Sequence, residues 1–309
     1  MKILKIYLLY LPKKRKMKRK MKTSVFICAS SLALILLSAP AISQNSSARP
    51  TATEIVALII EKTGVPSINN TGDVIRGGNP NTPITGIITT MFPTMDILKE
   101  AVAKNCNLII SHEPLYWSSR ENTELYANDP VFIEKQKFIN DNNLVVWRYH
   151  DYIHRMRPDG IYIGMTDKLG WREYMTDDTF SKYKIPETTL ENLLKDLKQK
   201  FPGIAFQVVG NPSMSVSNVA FSAGLSGTAN HVTSLRGGYD VVIAGEASQI
   251  ETYEYVRDAV LQGRNKAVIF IGHGYSEEAG MDYAATWLRT FITNMPVIFV
   301  ESGSSFWTY

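Results

Sequence analysis

The chain contains little cysteine and little histidine. Of its 309 residues, two are cysteine and five are histidine. Cys28 lies in an N-terminal segment that we expect to be removed, so Cys106 stands alone and an internal disulfide is excluded from the remaining chain. Cys106 directly precedes an apolar run, and we interpret it as a small core residue. A metal site in this protein would therefore have to use imidazole and carboxylate ligands.

Residues 1–43 have the pattern of an export signal rather than of a folded domain. Basic residues are concentrated in positions 13–22, an apolar run spans 25–37, and Ala41-Ile42-Ser43 offers a small-x-small cleavage site. The apolar run is shorter than the ~20 residues that a membrane-spanning helix needs. We expect a cleaved signal peptide, a periplasmic or secreted protein, and membrane contact only through the signal. An uncleaved anchor is the lesser alternative.

The net charge of +4 is a property of this N-terminal segment. Ten of the 33 basic residues and none of the 29 acidic residues lie in positions 1–43, which leaves 23 basic against 29 acidic residues and a formal charge of −6. A nucleic-acid-binding domain needs a basic surface to contact phosphates. We therefore expect no nucleic acid partner.

Residues 44–50 predict a polar linker, and residues 51–309 alternate between apolar strands and amphipathic helices. This alternation predicts an α/β fold with three α/β/α layers and mostly parallel sheets. A capping box at Thr51 and Glu54 begins the first predicted helix, and Gly64 ends it. We expect strands at 84–91, 108–110, 144–147, 205–209, 217–222, 239–244, 267–271 and 296–300. We expect helices at 95–104, 131–142, 250–261 and from about 276 to 291.

Three further segments have weaker patterns. Residues 71–83 are rich in glycine, asparagine and proline and predict a loop. Residues 160–164 predict a short, turn-bounded segment before a helix that opens at 165–169. Thr188 and Glu191 offer a second capping box. The glycines at 224 and 227 follow a strand, but they do not make a convincing phosphate-binding loop.

Four histidines and three glutamates fall directly after predicted strands. In an open α/β sheet this is the usual position of ligand-binding residues. The pairs His150/His154 and His273/Glu277 are four residues apart, which places each pair on one face of a helical turn. Imidazole and carboxylate ligands suit one or two divalent ions of zinc, manganese, iron, nickel or cobalt. The predicted metal ligands are His112, Glu113, His150, His154, His273 and Glu277, with His150 either a ligand or the partner of one.

Simpler interpretations exist for each residue taken alone. An isolated histidine at a strand end is usually a hydrogen-bonded loop residue, and Glu277 could serve the first turn of its helix. The concentration of nearly all histidines at strand ends favours the metal site. The exception is His231, which lies in a polar helical stretch, and we interpret it as an ordinary structural residue rather than a ligand. Glu246 is the predicted catalytic general base, but it could also orient a metal-binding histidine or cap the following helix.

The same residues resemble the dinuclear metal centre hexameric proteins, also known as GTP cyclohydrolase I type 2 or Nif-three-like proteins. Residues 107–117 are similar to the family's D-L-I-I-T-H-H-P-L segment, and residues 272–277 to its G-H-x-x-(S/T)-E segment. Residues 149–154, 224–227 and 240–246 resemble H-T-N-x-D, G-G-S-G and D-x-x-I-T-G-E. The motifs keep the family's order, and the similarity runs from about residue 51 to residue 300.

The resemblance implies two similar, interlocked halves, here about 51–185 and 186–309, and a homohexameric ring. Two residues depart from the family pattern: Glu113 stands where the family has a second histidine, and His154 where it has aspartate. We interpret this as a compensated exchange that keeps four histidines and two acids. It implies that Glu113 or Glu277 bridges two ions, or that the site holds one ion.

These observations together predict an exported, metal-dependent hydrolase that acts on an unknown small molecule. The GTP substrate in the family's name is not carried over, because an exported protein would encounter little GTP. The alternative is a non-enzymatic metal-binding protein that forms a ring-shaped scaffold.

Overall fold

A computed structural model describes residues 49–118 and 122–307 of the chain. The predicted signal peptide and most of the predicted linker lie outside the described residues. Within the described ranges, no helix is both long enough and apolar enough to cross a membrane.

Five strands form the first sheet, in the order β1-β4-β3-β2-β10. The strands β10, β2, β3 and β4 are parallel to one another, and β1 is antiparallel at the edge. All residues of β2 and β3 are buried, which explains why their apolar residues are consecutive rather than alternating with exposed polar ones. The bounds are β1 Ile75–Gly77, β2 Ile87–Thr90, β3 Leu108–Ser111, β4 Val145–Arg148 and β10 Val297–Phe299.

The second sheet also has five strands, in the order β5-β7-β8-β9-β6. Its centre, β7, β8 and β9, is parallel, whereas β5 and β6 are antiparallel edges. Both sheets are therefore mixed, with a parallel centre that agrees with the predicted α/β class. The bounds are β5 Lys182–Thr189, β6 Gln207–Val209, β7 Ser215–Ser222, β8 Val241–Ala244 and β9 Ala267–Phe270.

Helices cover both sheets. The largest core cluster contains side chains of both sheets together with helices α1, α4, α5, α6 and α9, and two smaller cores lie under α2 and α3 and under α7 and α8. The bounds are α1 Ala52–Thr63, α2 Met95–Ala103, α3 Pro130–Asp141, α4 Asp151–Arg155, α5 Gly160–Leu169, α6 Leu190–Lys200, α7 Thr228–Arg236, α8 Glu254–Leu261 and α9 His273–Leu288.

Several local predictions are confirmed. Thr51 and Glu54 form the predicted capping box of α1, and Gly64 ends the helix in the left-handed conformation. Cys106 is buried in the core under α2. Strand β3, which directly precedes the polar residues 112 and 113, is fully buried.

Other local predictions are wrong, each for a physical reason. The loop expected at 71–83 contains β1, which is too short for its alternation to be recognised. The segments expected at 160–164 and 165–169 are one helix, α5, whose glycines permit close packing rather than a turn. Strand β5 was not expected, and the cap of α6 is Thr189, whose hydroxyl accepts from the backbone of Asn192, rather than Thr188. Helix α9 begins at His273 instead of near Ser276, and a π-helical turn, Gln249–Tyr253, precedes α8.

The close packing of α5 against α9 positions the first turn of α9. A Cβ on Gly164 would lie 2.2 Å from the carbonyl oxygen of Ala279, and a Cβ on Gly280 would lie 2.5 Å from the Cα of Ile161. Only glycine fits at either position, because the obstructing atoms belong to backbone. The two helices thus touch backbone to backbone, and α9 is held between the sheets.

The chain crosses between the sheets at its end. Strand β10, the last strand, pairs with β2 in the first sheet, although the strands before it in sequence belong to the second sheet. Strand β5 spans the predicted boundary at 185/186 and belongs to the second sheet. The division into halves near that boundary stays a prediction.

Candidate metal centre

The predicted ligands come from strand ends of two different sheets. His112 and Glu113 follow β3, and their backbone N–H groups donate to the carbonyl oxygens of Thr90 and Met91, so they extend the first sheet by two residues. His150 precedes α4 and His154 lies within it, after β4. His273 and Glu277 occupy the start of α9, after β9 of the second sheet. The prediction that these ends lie along one sheet is wrong, because two sheets converge to form the site.

The six side chains meet around the carboxylate of Glu277. Its Oε2 lies 3.5 Å from Nε2 of His112 and 3.1 Å from Nε2 of His273, and its Oε1 lies 3.7 Å from Nε2 of His154. Glu113 points into the same space, with Oε1 3.1 Å from Nε2 of His273. The ring of His150 stacks on that of His112, with centroids 4.6 Å apart.

All four imidazoles are oriented by a partner on Nδ1. The partners are the carbonyl oxygen of Tyr149 for His112, Asp151 for His150, Asp159 for His154 and Glu246 for His273, at 3.2, 3.1, 2.9 and 2.8 Å. Because these partners accept hydrogen bonds, each Nδ1 carries a proton, and each Nε2 is the potential ligand atom. An oxygen acceptor behind each imidazole is the usual arrangement around metal-binding histidines.

Two buried atoms at the centre make no hydrogen bond within the described parts of the chain. They are Nε2 of His112 and Oε2 of Glu277. A buried polar atom without a partner is costly, by about 1–3 kcal/mol. A lone pair on nitrogen facing a carboxylate oxygen is an environment that a cation would stabilise. The donor set of this centre therefore fits a divalent metal ion.

Two groups of side chains have ligand atoms close enough to hold an ion. One is His112, His150 and His154, and the other is His112, Glu113 and Glu277; within each group the ligand atoms lie within 4.8 Å of one another. Both groups use His112, whose Nδ1 is occupied by Tyr149. A single Nε2 serves one ion, so the two groups compete for it. A second ion would have to rely on His273 with Glu113 or Glu277.

The imidazoles of the site differ in pKa. Burial, with His112 and His154 nearby, lowers the pKa of His150 to about 4, so this ring is neutral at pH 7. Burial also favours a low pKa for His273, but its close contacts with the carboxylates of Glu113, Glu277 and Glu246 outweigh burial and raise the pKa to about 11.

The carboxylates are ionised in spite of their burial. Burial acts to raise the pKa of Glu277, but the neighbouring His112 and His273 lower it well below its ordinary value. The pKa of Glu113 is lowered in the same way, with burial opposed by His273 and His112. Nη2 of Arg148 lies 3.7 Å from Oε2 of Glu113. Both glutamates are thus in the charged form that binds a metal ion.

Residues around the centre hold the ligands in place. Asp73 is buried and accepts backbone N–H groups from His150, Asp151 and Tyr152 at 2.8–2.9 Å, which fixes the start of α4. Gly224, in the left-handed region with φ of 54°, lies against Glu277: a Cβ there would be 2.5 Å from Oε1. The absence of a side chain at 224 therefore makes room for the central carboxylate.

Sequence reasoning missed these supporting residues. Asp73 lies in the segment that was interpreted as a loop, and Asp159 is five residues beyond its histidine. Only Asp151, adjacent to His150, carries a local signal. Acids that support a ligand from a distant part of the chain leave no spacing pattern.

Glu246 lies beside the centre but is more exposed than the ligands. Its Oε1 contacts Nδ1 of His273 at 2.8 Å, and about half of its side-chain surface is exposed. Of the roles considered for it, this contact corresponds to orienting a histidine. His231 belongs to neither candidate ligand group; it lies in α7, fully buried.

The fold and this centre define a class of α/β proteins with a His/Glu site between two interlocked mixed sheets. The profile of the DUF34/NIF3 family (NGG1p interacting factor 3) matches residues 51–304. The chain belongs to this family. The resemblance described from the sequence motifs is thereby confirmed at the level of the family.

Individual relatives agree with this assignment. A Clostridium acetobutylicum protein named GTP cyclohydrolase 1 type 2 homolog is 27% identical over 207 residues, which cover 63% of this chain and 73% of that protein. A Staphylococcus epidermidis protein of the same name is 28% identical over 147 residues, which cover 47% of this chain and 38% of that protein.

Solved structures share the fold. A Staphylococcus aureus protein superposes with a TM-score of 0.67 at 16% identity, covering 84% of this chain and 99% of its own. A Bacillus cereus protein related to NIF3 gives a TM-score of 0.67 at 13% identity, with the same coverage. At these identities the likeness establishes the fold alone.

Proposed function

We propose that this protein is a metal-dependent hydrolase whose centre binds one or two divalent transition-metal ions. The observation that carries the proposal is the orientation of four imidazoles, each held through Nδ1 so that Nε2 is left for a ligand role. The unpaired, buried Nε2 of His112 and Oε2 of Glu277 support it. Nitrogen and oxygen donors suit zinc, manganese, iron, nickel or cobalt.

The roles of the side chains follow from their contacts. His112 with His150 and His154, or His112 with Glu113 and Glu277, would hold one ion. His273 with either glutamate would hold a second. Glu277 reaches three imidazoles through its two oxygens, so its carboxylate would be the ligand best placed to serve two ions. A bound divalent ion supplies a Lewis acid that acidifies water and polarises the scissile bond.

Glu246 is assigned here as a positioning residue. Its Oε1 accepts a hydrogen bond from the Nδ1–H group of His273. This bond keeps Nε2 of that ring directed at Glu113 and Glu277. The general-base role predicted from the sequence remains a second candidate, since the half-exposed carboxylate is next to the centre. The variant Glu246→Gln separates the two roles: a positioning residue affects metal affinity, whereas a general base affects turnover by fully loaded protein.

A cavity of about 500 Å³ lies beside His154. Its lining includes Arg157, Tyr162, Asp178 and the hydroxyl-bearing Thr179 and Ser181. A cavity of this size accommodates a small molecule. The mixture of a cation, a carboxylate and hydroxyl groups supports a small polar substrate that reaches the centre past His154.

Metal content tests the centre directly. Protein purified without chelator is analysed for bound metal, and chelated protein is titrated with zinc and manganese. We expect uptake of one or two ions, and loss of uptake in Glu277→Gln. Glu191→Gln is the matched control, because it places the same change in the exposed first turn of α6. Absence of metal, with no uptake on titration, would refute the centre.

Activity distinguishes the hydrolase from a non-enzymatic metal-binding protein. The loaded protein is assayed against phosphoester, amide and cyclic-amidine substrates. Turnover that disappears in His273→Ala while the fold is retained supports the hydrolase. Metal binding without turnover of any substrate supports the alternative, a metal-binding scaffold protein.

Export and assembly are separate proposals that rest on the sequence pattern and the family resemblance. We expect the chain to be cleaved near residue 43 and to accumulate outside the cytoplasm, which fractionation and N-terminal sequencing check. We expect a homo-oligomer, and a hexamer in particular, which light scattering on eluting protein measures. A full-length chain in the cytoplasmic fraction contradicts the first, and a monomer contradicts the second.

A further inference from the structure

A second polar cluster contains the fifth histidine, His231. Its Nε2 lies 3.1 Å from Oγ of Ser226, and its Nδ1 lies 3.0 Å from Oγ1 of Thr252. Thr252 donates to Thr228 at 3.1 Å, and Thr228 donates to the carboxylate of Glu251 at 2.5 Å. We call these five residues the Ser226 relay. It shares no residue with the metal centre.

The relay has one consistent direction of hydrogen bonding. The ionised carboxylate of Glu251 can only accept, so Thr228 must donate to it, and Thr252 in turn donates to Thr228. The Thr252 hydroxyl proton is then used, and its oxygen accepts from Nδ1 of His231. This assigns the proton of the imidazole to Nδ1 and leaves Nε2 as an acceptor for the Ser226 hydroxyl.

Burial supports the same protonation state. His231 is fully buried, which lowers its pKa and keeps the ring neutral at pH 7. A serine is activated when its hydroxyl donates a hydrogen bond to the unprotonated nitrogen of a neutral imidazole. Ser222 also contacts the Ser226 oxygen and can donate to it, without competing for Nε2.

The backbone presents Ser226 at a sharp turn between β7 and α7. Gly224 and Gly227 on either side of the turn have φ of 54° and 88°, in the left-handed region where side chains are disfavoured. Ser226 is partly exposed while its histidine is buried, and Leu225 beside it is 64% exposed. Ser226 therefore lies near the surface, next to an apolar side chain and the first turn of a helix.

We propose that Ser226 is a nucleophile for acyl transfer, with His231 as its general base, and that it accepts carboxylic esters with a small apolar acyl group. At the start of α7 the backbone N–H of Asn230 donates to the carbonyl oxygen of Gly227. The N–H groups of Thr228 and Ala229 have no acceptor within the helix and provide donors for the carbonyl oxygen of the ester. The exposed Leu225 provides an apolar contact for the acyl group.

The reaction balances without any further reagent than water. Oγ of Ser226 forms a bond to the acyl carbon while its proton moves to Nε2 of His231. The bond between the acyl carbon and the alcohol oxygen breaks, and that oxygen takes the proton from Nε2. Water then attacks the acyl-serine, gives a proton to Nε2, and releases the carboxylic acid as Ser226 recovers its proton.

Labelling with a fluorophosphonate probe tests the proposal. The probe forms a covalent bond to an activated serine oxygen and releases fluoride, and the assay is run in EDTA so that the metal centre has no influence on the result. We expect mass spectrometry to place the label on Ser226 and to find none in Ser226→Ala. Ser234→Ala, which removes a serine further along α7, is the matched control and should label at the wild-type rate.

Two further variants test the relay. His231→Gln keeps a polar group beside Ser226 but removes the base, and we expect labelling to slow by at least ~100-fold. Glu251→Gln alters the exposed end of the relay, so it should fold normally and label more slowly than wild type. Unchanged labelling in Glu251→Gln or in folded His231→Gln overturns the relay. Wild-type labelling no faster than that of Ser226→Ala overturns the nucleophile and assigns the cluster a purely structural role.

Discussion

Glu113 is the residue at which this chain departs most from the family motif, and its contacts show how the exchange is accommodated. The side chain points into the centre and reaches Nε2 of His273 at 3.1 Å. His154, the other exchanged residue, lies 3.7 Å from Glu277 on the far side of the same carboxylate cluster. Both side chains therefore face the same cluster, as the exchange of a carboxylate and an imidazole predicted from the family resemblance requires.

The exchange predicts coupled effects on metal affinity. Glu113→His and His154→Asp should each weaken metal binding, because each alone alters the balance of imidazole and carboxylate donors. The double variant restores that balance, so its affinity should lie within about tenfold of wild type, a loss of at most about 1.4 kcal/mol. Its loss should also be smaller than the sum of the two single losses. Competition with a chromophoric chelator measures all four proteins. Additive losses would show that the two positions act independently.

His273 predicts a pH dependence in the metal-free protein. Its folded pKa of about 11 is above the ordinary value of 6.5, because three glutamates outweigh its burial. The protonated ring therefore stabilises the fold fully below about pH 6.5, and this contribution is lost as pH rises towards 11. Urea unfolding in EDTA measures the free energy of unfolding of wild type and His273→Gln. We expect the wild-type value to be the larger, and the difference between the two to shrink between pH 7 and pH 10. A constant margin contradicts the raised pKa.

At the scale of secondary-structure elements, the centre depends on where α9 begins. Because the helix starts at His273, the side chains of His273 and Glu277 are one turn apart, both at the interface between the sheets. Gly272 precedes the helix with φ of 95°, and this sharp turn after β9 allows the helix to begin so early. The packing of α5 on α9 then fixes the position of this turn.

The contact between α5 and α9 predicts a large effect for a small substitution. Gly280→Ala places a Cβ 2.5 Å from the Cα of Ile161, so the helices must separate. We expect a loss of about 1–3 kcal/mol in the free energy of unfolding, the usual range for overpacking, together with weaker metal binding. Gly237→Ala is the control, because its Cβ comes no closer than 3.1 Å to Thr233. Denaturant unfolding compares the two, and equal losses would contradict the packing argument.

At the scale of the whole molecule, neither sheet is independent of the other. The main core contains side chains of both sheets, and β10 returns the end of the described chain to the first sheet. The candidate metal centre lies where the two sheets meet, so its geometry requires both. Binding of a metal ion should consequently stabilise the molecule as one unit.

Removal of the metal therefore predicts a single, lower unfolding transition. At a metal concentration of 100 times the Kd, binding stabilises the folded state by about 2.7 kcal/mol. For a chain of this size this corresponds to a fall in Tm of about 5–11 °C on addition of EDTA. Calorimetry before and after chelation measures it. Two separate transitions, of which only one responds to EDTA, would show that the sheets unfold independently.

The α/β class, most of the helices and strands, and the six side chains that the structure brings together are predictable from the sequence alone. Burial on both faces forces continuous apolar strands, and polar residues at their ends are conspicuous against them. Only the tertiary structure shows that two sheets, not one, supply the site. It also shows that acidic side chains hold the ligands in place: Asp73, Asp151, Asp159 and Glu246. Contacts between residues far apart in the chain have no periodicity to read. The same holds for His231, whose serine and threonine partners were brought together only by folding.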